Sequence, residues 1–177
     1  MSRIVRFHRT GGPEVLQFDE LDIGSPKEGE VRIRVRALGL NRAEAMFRSG
    51  AYLEAPKLPA RLGWEAAGEI EAIGPGVTGF SVGDAVSTIP AFSMNQYGVY
   101  GDVAIVPAHA VAKHPAGLSW SEAATIWMQY LTAYGALVEI APPAMGDAVL
   151  ITAASSSVGL AAIQIVNSRD NPHGRKT

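Results

Sequence analysis

Ala154-Ser155-Ser156-Ser157-Val158-Gly159 is the stretch of this sequence whose residue types and spacing could do chemistry. Its small residues fall at the places of G-x-G-x-x-G, with alanine and serine in the first two glycine positions. That spacing turns a strand sharply into a helix and lets a dinucleotide pyrophosphate approach backbone N–H groups at the positive helix end. Ala154 and Ser156 are small enough to keep part of that approach. The hydroxyls of Ser155, Ser156 and Ser157 can donate to phosphate oxygens, and Gly159 permits close helix packing. An ordinary strand-to-helix loop of small residues has the same composition, so the pattern alone leaves both readings open. Its position after an apolar strand and before an apolar helix favours the phosphate.

Other chemistries are bounded by what the chain contains. With no cysteine among 177 residues, disulfides, cysteine-ligated zinc, iron–sulfur clusters and thiol nucleophiles are excluded. His8, His109, His114 and His173 are scattered, and none has a metal-binding spacing, so no metal is expected. Fifteen Lys+Arg against 17 Asp+Glu give a net charge of −2, which argues against a nucleic-acid or membrane-surface partner. Hydrophobic residues at 47% and charged residues at 18% are enough for a buried core. The N-terminus carries no signal-peptide run, and no segment reaches the ~20 apolar residues of a membrane span. The expectation is a soluble, cytoplasmic chain.

The elements that must position the loop follow from periodicity. Up to about residue 115 the chain reads as mostly β. Ile4 to His8 and Val15 to Glu20 flank a Gly11-Gly12-Pro13 turn, which fits a hairpin. From Glu30 to Leu38, Val31, Ile33, Val35 and Ala37 alternate with Arg32, Arg34 and Arg36. This predicts a half-buried antiparallel strand whose arginines form a plain outer face rather than a phosphate site. Asn41 is placed to cap a short helix that includes Phe47. Glycines 68, 74, 76 and 79 suggest the bulges and turns of a curled, barrel-like sheet. Ser119-Trp120-Ser121-Glu122 has the capping-box form and opens a helical pattern running through Val138 to Pro142-Pro143. Ala148 to Ile151 reads as a parallel strand covered on both faces, and Val158 to Val166 as a helix. The chain's later part is thus the opening of a doubly wound α/β domain.

The blocks Gly39-Leu40-Asn41, Leu62-Gly63-Trp64-Glu65-Ala66-Ala67-Gly68, Ile73-Gly74-Pro75-Gly76-Val77, Val82-Gly83-Asp84-Ala85-Val86, Trp127 to Tyr134 and Leu150 to Gly159 occur in an order that resembles the medium-chain dehydrogenase/reductase family. The resemblance spans about residues 1 to 167. It implies a GroES-like β domain over residues 1–117 and the start of a Rossmann domain binding NADP(H) over 118–167. The active site would lie in the cleft between them. Within the family the chain looks like the zinc-free quinone oxidoreductase branch, often labelled zinc-type alcohol dehydrogenase. Trp64 stands where the zinc enzymes carry a histidine. The resemblance implies hydride transfer from NADPH to a small-molecule quinone, enone or other carbonyl substrate without zinc. Asn41 then resembles an asparagine near both nicotinamide and substrate, besides being a helix cap. Tyr52 resembles an aromatic at the substrate cleft whose hydroxyl can reach a carbonyl oxygen, against the reading of a plain loop aromatic. Thr132 resembles a cofactor-contacting position, where periodicity alone leaves a packing threonine. Glu65 is expected to anchor local backbone or an arginine.

After Val166 the family pattern fails. Residues 168–177 read as a disordered tail, and the chain is expected to be a truncated or frame-shifted product or an N-terminal fragment, inactive in isolation. The alternative is a non-catalytic GroES-like module, alcohol dehydrogenase-like in name only. The apolar faces left around Trp127, Tyr134 and Leu137 make a homodimer the expected assembly.

Overall fold

The Gly11-Gly12-Pro13 turn closes an antiparallel hairpin of β1 (Ser2–Phe7) and β2 (Leu16–Leu21), as the sequence predicts. In the computed structural model, which describes residues 1–144 and 146–170, Cα packing gives two units, Met1–Thr125 and another from Ile126 onward. The first unit holds two antiparallel sheets. In the smaller one, β4 (Ala60–Arg61) pairs with β1, giving the order β2-β1-β4.

The larger sheet is built on β3 (Glu30–Gly39), the strand with strict alternation. It lies between β5 (Glu65–Ile73) and β7 (Val103–Pro107), and β6 (Ala85–Thr88) and β8 (Val111–Lys113) complete the order β7-β3-β5-β6-β8. Val31, Ile33, Ile70, Val86, Val99 and Val106 form its core. Each such burial is worth about 1.5–3 kcal/mol. Register shifts along the β3–β5 pair supply the bulges that the glycines foreshadow. The barrel-like expectation is realised as two sheets joined by the bridge between Ile4 and Gly101, with the Val5 amide donating to the Tyr100 carbonyl at 2.9 Å.

The three arginines of β3 form an outer face, but a paired one. Arg32 Nε lies 2.8 Å from Glu71, Arg34 Nη2 lies 3.2 Å from the same carboxylate, and Arg36 Nη2 lies 2.7 Å from Glu69. Both glutamates belong to β5, so the arginines bind across the strand pair.

Helix α1 (Arg42–Ser49) follows β3 and ends at Gly50 in the left-handed conformation, φ 79°. The helix expected from Ser119 to Val138 is broken into pieces. Ser119 caps α2 (Trp120–Ala123) through the expected reciprocal bonds with Glu122. The Thr125 hydroxyl then bonds back to the Ser121 and Glu122 carbonyls, competing with helix propagation. α2 packs on β3 and β5 through buried Ala123 and Ala124 against Ala67.

The second unit contains α3 (Trp127–Tyr134), a π-helical turn at Gly135–Ile140 and α4 (Ser157–Asp170). Ala133, Ala161 and Ala162 form its buried centre, flanked by Tyr130, Leu137, Ile151, Val158 and Ile165. The strand expected at Ala148 to Ile151 does not form, and Leu150 is 91% exposed. A strand of that kind needs parallel neighbours on both edges, and no described segment of this chain pairs with it. The expected tail at 168–177 is helical through Asp170, and its remainder lies outside the described residues. Among the described residues, no helix is long and apolar enough to cross a membrane.

Candidate functional site

The N-terminus of α1 is tied to the start of β5 by two buried carboxylates. Asn41 occupies the N-cap with extended backbone, φ −123° and ψ 145°. Its amide N–H donates to Glu44 Oε2 at 2.8 Å, and its side-chain Nδ2 donates to Glu65 Oε2 at 2.9 Å. Glu65 is 3% exposed and Glu44 4%. Glu65 thus orients the Asn41 side chain. With Nδ2 fixed on a buried carboxylate, the opposite end of the Asn41 amide is an acceptor held in one direction.

Glu44 gathers three donors: the Asn41 N–H, the Trp64 N–H at 3.1 Å and the Tyr100 hydroxyl. Burial raises its carboxyl above the usual carboxylate range, and the bonds from Tyr100, Asn41 and Trp64 oppose that rise. Burial, and then the Glu44 charge, push the Tyr100 phenol up as well. The Tyr100 ring reaches Glu44 because residue 63 is glycine. At Gly63, with φ +96°, a Cβ would stand 2.2 Å from Tyr100 Cδ1.

Trp64 is 7% exposed, and its indole N–H donates to the Phe92 carbonyl at 2.9 Å. Tyr52 is half-buried with its ring edge-on to Trp64, centroids 5.5 Å apart. Among the described residues the Tyr52 hydroxyl takes no hydrogen bond, so the ring is anchored while its polar end is unused. Asn41 and Tyr52 are thus linked through Glu44 and Trp64.

The remaining expected site residues, Thr132 and 154–159, lie in the second unit. Thr132 is exposed on α3, and its hydroxyl donates back to the Met128 carbonyl at 2.6 Å. The small-residue loop opens α4. The Ser156 hydroxyl accepts from the Gly159 N–H at 3.1 Å, while Ser155, Ser156 and Ser157 are exposed. Gly159 is buried, and a Cβ there would meet the Ala153 carbonyl at 2.6 Å and Ala154 Cα at 2.8 Å. The loop therefore packs tightly on the first turn of α4, where the Leu160 N–H donates to the Ser156 carbonyl at 2.9 Å and the amides of Ser157 and Val158 precede the first intrahelical bond. Ala154 and Val158, half-buried, hold it from beneath. The groups of this loop that could hold a pyrophosphate are the amides of Ser157 and Val158 and the serine hydroxyls.

Sequence reasoning passed over Glu44 and Tyr100. Glu44 was legible as the acidic third helical residue after an Asn cap, but Tyr100 sits 56 residues away in an irregular segment. Among the described residues no three His, Asp or Glu side chains gather to hold a metal ion.

Residues 27–116 match the alcohol dehydrogenase GroES-like domain family. Human quinone oxidoreductase is 40% identical over 169 residues, covering 95% of this chain and 50% of that protein. Among solved structures, the human synaptic vesicle membrane protein VAT-1 homolog-like protein superposes with a TM-score of 0.87 at 34% identity, covering 94% of this chain and 52% of that one. The quinone oxidoreductase of Escherichia coli complexed with NADPH gives a TM-score of 0.83 at 34% identity, with 95% and 50% covered. The chain spans about half the length of the curated relatives it matches. A GroES-like match over residues 27–116 of the first unit, together with relatives similar along nearly the whole chain, means that the chain belongs to the alcohol dehydrogenase GroES-like domain family of medium-chain dehydrogenase/reductases.

Proposed function

We propose that residues 1–177 carry the substrate side and the pyrophosphate loop of an oxidoreductase that passes hydride from NADPH to a quinone or enone without a metal. The observation that carries this is the 40% identity to a quinone oxidoreductase across 95% of the chain, a span that includes both units. Bound NADPH supplies the hydride. Asn41 presents an acceptor fixed by Glu65, and Tyr52 offers a hydroxyl to a substrate carbonyl oxygen as charge develops on it. The Ser155 to Gly159 loop, with Ala154 beneath, holds the pyrophosphate, and Thr132 contacts the cofactor. A conjugated carbonyl already accepts hydride, so orientation is the protein's main contribution. Trp64 fills with an indole the place where a metal-binding relative would need a ligand. The two units are the GroES-like part and the opening of a Rossmann domain. The same reading makes the protein a cytoplasmic enzyme, and the exposed Leu131, Tyr134, Ile140 and Leu160 support self-association as a homodimer.

The test is a chimera in which residues 1–167 are continued by the remaining half of human quinone oxidoreductase. Quinone-dependent NADPH oxidation that falls about tenfold or more in Asn41→Ala and Tyr52→Ala, each assayed as folded protein well below its own melting temperature, is expected. A folded chimera that binds NADPH and turns over no quinone, or whose turnover ignores both substitutions, refutes the reading. The unpaired Ala148 to Ile151 segment favours a second reading for the 177-residue chain by itself, a GroES-like module without catalysis.

A further inference from the structure

We propose that Arg61 is a carboxylate-binding residue whose Nε and Nη2 edge receives one carboxylate side-on, next to the Arg6–Asp19 ion pair. Arg61 of β4 stands directly opposite Arg6 of β1 in antiparallel register, so the two side chains leave the sheet on the same face. Like charges placed so repel unless counter-charge is supplied. Arg6 has its own, with Nη1 3.3 Å from Asp19 Oδ2, and that same oxygen lies 3.0 Å from His8 Nε2. Among the described residues Arg61 has none. Its Nε and Nη2 are both sealed from solvent, and no described residue hydrogen-bonds either of them. Burial, and then the Arg6 charge, push its guanidinium below the ordinary value, yet a guanidinium remains a cation. An unpaired buried cation is among the costliest features a fold can keep, and it calls for an anion.

The two orphaned nitrogens identify the ligand's shape. Nε–H and the Nη2–H beside it are parallel donors on one edge of a planar group, spaced for the two oxygens of a carboxylate. A lone carbonyl or hydroxyl would satisfy one donor and strand the other. The local charge agrees: two arginines face one aspartate, which leaves room for a single negative charge. Arg61 as a whole is half-buried, so rotation about the aliphatic torsions of its stem, which moves Nε itself, carries the edge outward to an entering ligand. No part of this site belongs to the Asn41 and Tyr52 cluster, and it does not depend on NADPH.

Thermal unfolding of the 177-residue chain at neutral pH and fixed ionic strength is the test, with sodium chloride replaced stepwise by acetate. Wild type should gain about 3–5 °C in a saturating manner. Arg61→Met should unfold at higher temperature than wild type in chloride, because it removes the unpaired charge, and should ignore acetate. Arg61→Lys, which keeps the charge without the fork, should lose most of the acetate response. A wild type that does not respond to acetate overturns the proposal, as does an Arg61→Met variant that responds equally. Inorganic phosphate acting in place of acetate overturns the carboxylate assignment.

Discussion

Glu44 is the residue on which the Asn41 end of the fold turns, and its protonation should be visible in stability. Its carboxyl is raised by burial, so the folded state holds a proton that the unfolded state has already released over the interval between the two values. Stability therefore falls as pH rises from the ordinary carboxylate range through the raised value, and is flat beyond it. Glu44→Gln should remove that slope. It should also cost about 1–3 kcal/mol at neutral pH, because the amide NH2 would face the Trp64 N–H donor. Urea unfolding at a series of pH values from 4 to 8 checks both, and an unchanged slope in the variant rules out Glu44 as its source. Glu71 works in the opposite sense: Arg32 first, and then Arg34, hold it below the usual range against the counter-effect of burial. Its contribution is present above the ordinary carboxylate value and is lost as pH falls through the depressed one.

At the scale of elements, Gly63 and Gly79 separate two costs that a glycine can hide. Both have positive φ, +96° and +83°, but a Cβ at Gly79 meets nothing within 4 Å, whereas at Gly63 it strikes the Tyr100 ring. Gly79→Ala should cost about 1–2 kcal/mol for backbone strain alone. Gly63→Ala should cost about 3 kcal/mol or more, because the ring must move off Glu44. Denaturant midpoints that are equal for the two variants would show that the ring is free to yield. The strand containing Val31, Ile33 and three arginines was legible because period-2 alternation is a local signal, and so were the hairpin and the Ser119 cap. The destination of the arginines was not, since Glu69 and Glu71 lie more than 30 residues away. The helix after Ser119 was misread because apolar spacing continues across Thr125, while its hydroxyl bonds backward. Ala148 to Ile151 carries every local mark of a strand, yet a strand exists only where another pairs with it.

For the whole molecule, the two units differ in how completely they satisfy themselves. The first closes a core of large side chains around Val31, Ile70 and Val106, whereas the buried centre of the second, among its described residues, is the alanines Ala133, Ala161 and Ala162. The 177-residue chain should therefore bind NADPH poorly. The pyrophosphate loop would act without the paired strand that normally carries it, at the same cost of immobilising a flexible ligand. Calorimetric titration should give no saturation in the micromolar range, and a micromolar 1:1 isotherm with quinone-dependent oxidation would contradict this. Elemental analysis of purified protein should find well below one zinc per chain, since no cysteine is available and the four histidines are scattered. A stoichiometric metal would remove the metal-free part of the functional proposal.

The buried Trp64 indole, edge-on to Tyr52, also makes the protein its own optical probe. The chain has three tryptophans, and the others stand apart: Trp120 lies against His114 in the first unit and Trp127 opens α3 in the second. Replacing Trp120 and Trp127 by phenylalanine leaves a single emitter fed by excitation transfer from Tyr52 at a centroid distance of 5.5 Å. Under the proposed function, a quinone arriving at the Tyr52 hydroxyl is an electron acceptor and should quench that emission within its nanosecond lifetime. The occupancy of the substrate side can then be followed by fluorescence, with no turnover required.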